Sequence, residues 1–393
     1  MFGESGFNIK TAGIYLPLGG AIGGTQLFAE LGVILQDGGA HKLVWHCKGD
    51  AGTRFCMLCR NLVSLESDLV AEDSTKLLAC SVIHEADLDF ATDSDIRGTV
   101  RRLAAHADRE TKAEFIMRQQ AVGFTHEPYS ILLDQALESY VAPATQFSHD
   151  WMHAIFVHGV FNTVMYLFLE GIIADGGKNV YDIVYDYLAL WRWPRRIASS
   201  NLKDVFGKKR AFNSRRAQSI KCTASEGLSL YPVLAYFVQA VLEPSGRCPD
   251  MCKAYLLLAD LIDILTAVPR GTVTPARLRR RVRAFLQGCE AAGWRSRMHP
   301  KFHWLVHLPR HLEQHGTLMT CWVHERKHRM VKRYGAEMCN TRDYDRSILS
   351  EITCHHLSET TLPGTFSFDV ALLEPHPASQ RVRGFLRQEP LID

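Results

Sequence analysis

The chain has 393 residues, 47% of them hydrophobic, 22% charged and 10% aromatic, so it can bury a core of one large or two ordinary domains and is no disordered tail. A formal net charge of +3 excludes binding to nucleic acid through bulk charge and leaves that role to local basic clusters. Eleven cysteines, an odd number without a secretory signal ahead of them, read as buried thiols or metal ligands of an intracellular protein rather than as disulfides.

In chain order, residues 1 to 36 are rich in glycine and apolar residues. Val33, Ile34 and Leu35 then read as a buried strand running into Asp37 and a Gly38-Gly39 turn. A carboxylate at a strand end is a common metal-holding position; the alternative is an Asp that only starts a turn. From about 62 to 300 the periodicity is helical. TDSDIRGTVRRLAAHA opens on capping residues, and SLYPVLAYFVQAVL and MCKAYLLLADLIDILTAV are apolar at helical period. Trp151 to Ile173 is nearly long enough to span a bilayer, but His153, His158, Asn162 and Glu170 interrupt it, so it reads as a buried helix and no membrane partner is expected.

Cys56 and Cys59, in RFCMLCRN, point two thiolates at one tetrahedral ion, as a structural zinc pair does; a redox pair or two ordinary thiols fit the spacing equally. The best candidates for the remaining ligands are His303 and His307. Their i, i+4 spacing puts both rings on one helical face, in a helix that Pro309 is expected to end or kink. His311, His315, His324 and His328 continue such spacings and read as surface or DNA-facing residues.

Three blocks, taken in order, resemble the CACTA type of DNA transposases. DGGAHKLVWHCKGDAGTRFCMLC (37 to 59) is similar to the family's second catalytic Asp followed by a basic residue, an aromatic-Lys-Gly step and CxxC, with Asp37, Lys42, Cys47-Lys48-Gly49, Cys56 and Cys59 in the matching places and Cys47 standing where the family has the aromatic. HDWMHAIFVHGVFN carries its Asp-x-x-His motif at Asp150 and His153. KFHWLVHLPRHLEQHGTLMTCWVHERKHRMVKR resembles its C-terminal block and supplies Glu325.

The resemblance implies a mostly helical chain with an α/β core, a partial RNase H-like fold interrupted by a large all-α insertion. The expected division is a core with the CxxC at 1 to 61, the insertion at 62 to 300, a returning block with Glu325 at 301 to 345, and a peripheral tail at 346 to 393. It further implies Mg²⁺, or Mn²⁺, held at the carboxylates Asp37 and Glu325 for phosphoryl transfer on transposon ends and target DNA in the nucleus, with a structural zinc beside it and a possible homo-oligomer. Asp150 and His153 are expected to organise the core rather than to ligate. The family's first catalytic Asp has no counterpart, because no Asp occurs in the 36 residues before Asp37, and weak or absent cleavage follows.

Basic clusters expected to meet DNA phosphates include Lys208, Lys209, Arg210, Arg215 and Arg216. Arg326, Lys327 and Arg329 join them beside Glu325, and RLRRRVR at 277 to 283 is a further run. A solvated helix face explains such runs as well. Two other classes stay open: a non-catalytic, zinc-stapled DNA-binding remnant, and a zinc hydrolase built on His303 and His307. The hydrolase lacks the Glu that HExxH enzymes carry between the histidines.

Overall fold

The computed structural model describes residues 10–16, 25–64, 77–177, 179–193, 201–338 and 342–360; for 323–330 it describes the helical backbone only. The chain divides into two units, one built around Ala29–Glu325 and one joining Asn8–Phe28 to Arg326–Asp393.

Helices dominate the first unit, as its periodicity predicts. The sheet that matters most is small. Strand β3 (Ile34–Gln36) pairs in parallel with β6 (Phe147–His149), in the register Ile34↔Phe147 and Gln36↔His149. A parallel pair needs a long crossover, and here over a hundred residues intervene. Both strands run directly into helices. Asp37 accepts the Ala40 amide at 2.6 Å and caps α1 (Gly38–Trp45), so Gly38 and Gly39 open a helix instead of the expected turn. Asp150 accepts the Met152 amide at 3.1 Å and caps the short α4 (Trp151–Phe156). A capping carboxylate satisfies an amide that has no partner inside the helix, and this explains why each strand stops at its Asp.

Between β4 (Leu62–Val63), its parallel partner β5 (Leu78–Ala79) and Thr92, the described chain is loop and 3-10 turn. Further along, α2 (Asp93–His106) opens where Thr92 and Asp95 form a reciprocal capping box, and α3 (Lys112–Val122) follows.

Beyond β6 the block is helical: α5 (Val160–Ala174), α6 (Val180–Ala189), α7 (Lys208–Ala217), α8 (Ala224–Phe237), α9 (Pro249–Ala267), α10 (Pro275–Ala291) and α11 (Pro300–His315). Helices α9 and α10 pack Leu258, Leu261, Ile262 and Leu265 against Leu278, Phe285 and Leu286, all fully buried. The long apolar stretch is two helices, α4 and α5, broken at His158, whose φ of 46° is left-handed. Both pack inside the fold. Asn162 holds the break: its side chain accepts the Gly159 amide at 3.0 Å and donates to the Ile220 carbonyl at 2.8 Å. Pro309 neither ends nor stops α11, which runs on to His315 and closes on Gly316 at φ 70°. Its neighbours on the same helix are buried, and that packing retains the helix despite the missing amide donor.

In the second unit β1 (Ile14–Leu16) and β2 (Thr25–Leu27) form an antiparallel pair. Helix α12 (Trp322–Glu337), which starts in the first unit, continues here, and α13 (Tyr344–Thr360) lies against it, with the Tyr344 hydroxyl donating to the Gly335 carbonyl at 3.0 Å. The expected tail from 346 is thus helical as far as 360.

Candidate metal centre

Cys56 and Cys59 sit in a loop fixed by backbone bonds rather than by a regular element. The Ala91 amide donates to the Leu58 carbonyl at 2.9 Å, and the Arg60 amide to the Asp89 carbonyl at 2.7 Å. Opposite them stands α11, on which His303 and His307 lie one turn apart, as four-residue spacing requires. The four side chains meet. Cys56 Sγ lies 3.4 Å from His307 Nε2, and Cys59 Sγ lies 3.5 Å from both His303 Nε2 and His307 Nε2. All four donor atoms are within 4.8 Å of one another.

Tetrahedral zinc with Zn–S near 2.3 Å and Zn–N near 2.0 Å separates neighbouring sulfur and nitrogen ligands by about 3.5 Å. The sulfur–nitrogen edges match that figure, and the His303–His307 edge, at 2.8 Å, is somewhat tighter. The residues are 0 to 5% exposed, so no water shell competes for the donors. This buried Cys₂His₂ cluster could hold a zinc ion.

The electrostatics favour the ligating form at some of these residues and oppose it at one. Burial lowers His303, leaving it the neutral imidazole that binds metal. Burial also pushes the Cys59 thiol well up, and the Cys56 sulfur beside it adds to the shift. Cys56 goes the other way: against the upward push of burial, the hydrogen bond with Cys59 and the His307, His149 and His303 rings bring its thiol well down.

Around the cluster lies a group of histidines that the spacing analysis misplaced or missed. His311 is 2% exposed, with neither ring nitrogen hydrogen-bonded, so it is an interior residue and not a surface or DNA-facing one. His149 stacks on Trp304 with centroids 5.0 Å apart and lies 5.3 Å from the His307 ring; burial holds its pKa down to about 3. His41 stacks on Phe147 at 4.1 Å, and burial lowers it to about 4. The one sequence signal for His149 is its position at the end of a strand that reaches α11. For His41 there is none.

Asp37 and Asp150 leave the same end of the β3–β6 pair, because Gln36 and His149 are partners in register. Asp150 meets His153 Nδ1 through its second oxygen, and both residues are buried. The side chains of Glu325, Arg326, Lys327 and Arg329, like those of His324 and His328, lie outside the described residues; their backbone is part of α12. Of the remaining basic residues, Arg210 grips Glu226 through two bonds of 2.8 Å, and Arg215 pairs with Glu170 at 3.3 Å while lying over Tyr181. Lys208, Lys209 and Arg216 are exposed on α7. In the run at 277 to 283, Arg279 is paired with Glu85 and Glu313, and Arg281 with Asp260.

No family model, curated protein or solved structure matches this chain.

Proposed function

We propose that this chain is a zinc-stapled DNA transposase of the CACTA type, acting on DNA in the nucleus. The observation that carries the reading is the meeting of Cys59 with His303 across 244 residues, in the chain order that the resemblance implies. Asp37 precedes the cysteines, and the helix bearing Glu325 follows the histidines. Four protein ligands leave a zinc ion no open position, and the centre is then a structural staple rather than a hydrolase site.

In this reading Asp37 and Glu325 hold Mg²⁺ or Mn²⁺, hard cations that take oxygen ligands, and the ions supply activation of water or a DNA 3′-hydroxyl. The exposed Lys208, Lys209 and Arg216 contact phosphates, with Arg326, Lys327 and Arg329 doing so beside the carboxylates. One oxygen of Asp37 is engaged in capping α1, and this favours a second reading, a DNA-binding remnant without cleavage.

Labelled duplex DNA incubated with the purified chain and Mn²⁺ separates the two. Slow nicking that disappears in Asp37→Ala supports the transposase reading. Salt-sensitive binding with no nicking supports the remnant. Absence of any DNA binding at low salt would overturn both.

A further inference from the structure

A second group of ligand-type side chains lies apart from the four-ligand cluster. Asp150 at the end of β6, His153 in the first turn of α4 and Cys321 just before α12 bring an oxygen, a nitrogen and a sulfur within 4.8 Å of one another. They come from widely separated stretches of chain, yet all three are buried, at 3%, 8% and 6% exposure. We propose that Asp150, His153 and Cys321 form a second metal site, taking a divalent ion of the zinc class with its fourth position left to water.

The surroundings argue for an ion. The chain beside the group is buried and aromatic: Trp151 follows Asp150, and Phe156 lies near Trp322 with ring centroids 6.4 Å apart. Drawing a carboxylate and a thiol into such a place costs solvation that must be offset. Asp150 spends one oxygen on the Met152 amide and turns the other to His153 Nδ1. That contact orients the ring. A divalent cation compensates the carboxylate and a Cys321 thiolate together. Binding releases the Cys321 thiol proton to solvent, leaving thiolate, carboxylate and neutral imidazole around the ion.

The donor set also selects the ion. Mg²⁺ and Ca²⁺ take oxygen ligands, whereas a mixed sulfur, nitrogen and oxygen set suits zinc and its neighbours. Three protein ligands are the number that leaves a zinc position open to solvent or substrate. The consequence for the fold is specific: the ion ties residue 321, where α12 begins, to the end of the β6 strand.

The test is zinc content of the full chain, purified without chelator and dialysed against zinc, with circular dichroism to check folding. The wild type is expected to carry two ions per chain. Cys321→Ser and, separately, His153→Gln should each lose one, and Cys56→Ser with Cys59→Ser the other. In the cobalt-substituted protein, Cys321→Ser should lower the thiolate-to-cobalt charge-transfer band by about one third, since one of three thiolates is gone. A single ion that disappears with Cys56 and Cys59 and is indifferent to both Cys321→Ser and His153→Gln overturns this site and leaves the four-ligand centre standing. A single ion with the opposite dependence keeps this site and removes the other. No bound zinc removes both.

Discussion

The stretch from Ile34 to His149 and the helical block from Trp151 to His315 solve the problem of stability differently. The helical block buries long apolar faces: α9 and α10 meet through leucines, isoleucine and Phe285 that see no solvent. At about 25 cal/mol per Å² of apolar surface, such faces stabilise themselves. The earlier stretch has strands of two or three residues, loops in place of helices around its cysteines, and an interior carrying His41, Cys56, Cys59 and His149. Short strands bury too little to stand alone. The difference shows where a cross-link is needed, and the Cys₂His₂ cluster spans that boundary, with its thiols in the loop region and its imidazoles on the last helix of the block.

Removing the cross-link should therefore have the largest effect and the most local one. In Cys56→Ser with Cys59→Ser, or after zinc is stripped, stability should fall by roughly 5 kcal/mol or more, given the ~10–16 kcal/mol that structural zinc supplies in small domains. Hydrogen exchange should accelerate at 47–63 and 147–149 while α9 and α10 keep their protection. Equal loss in both regions would mean that they form one cooperative unit and that the contrast is false. Phe285→Ala probes the other side, with an expected loss of about 3–5 kcal/mol in unfolding free energy by denaturant titration and no change in zinc content. A smaller effect, about 1–3 kcal/mol, is expected from Asn162→Ala, which leaves the Ile220 carbonyl and the Gly159 amide without their partner. Smallest is Thr92→Ala, which removes the α2 capping box at a cost of about 1 kcal/mol and should leave the metal centre untouched.

The two regions also differed in how far they could be read from sequence. Helices α2, α8 and α9 were legible because capping residues mark the start of α2 and apolar residues recur at helical period in all three, a local pattern that survives folding. Less legible were the short pairings near the cysteines, Leu62 with Leu78 and Cys59 with Phe90, because their order comes from contact with other parts of the chain rather than from local period. Pro309 was read as a helix breaker, and packing around α11 overrode it. For the cluster, CxxC and a four-residue histidine spacing were enough to nominate Cys56, Cys59, His303 and His307. Periodicity alone could not distinguish His307 from His311, because both lie on the same helical face and only the approach of the cysteine loop separates them. Cys321 carried no spacing signal, since its neighbours Asp150 and His153 are recruited from a different strand and helix.

Zinc K-edge X-ray absorption on the Cys321→Ser chain tests the central claim most directly, because any second ion is then absent. A four-coordinate ion with two sulfur ligands near 2.3 Å and two nitrogen ligands near 2.0 Å is the predicted result. A spectrum without sulfur ligands, or stoichiometric zinc that persists when Cys56 and Cys59 are also replaced by serine, would contradict the account.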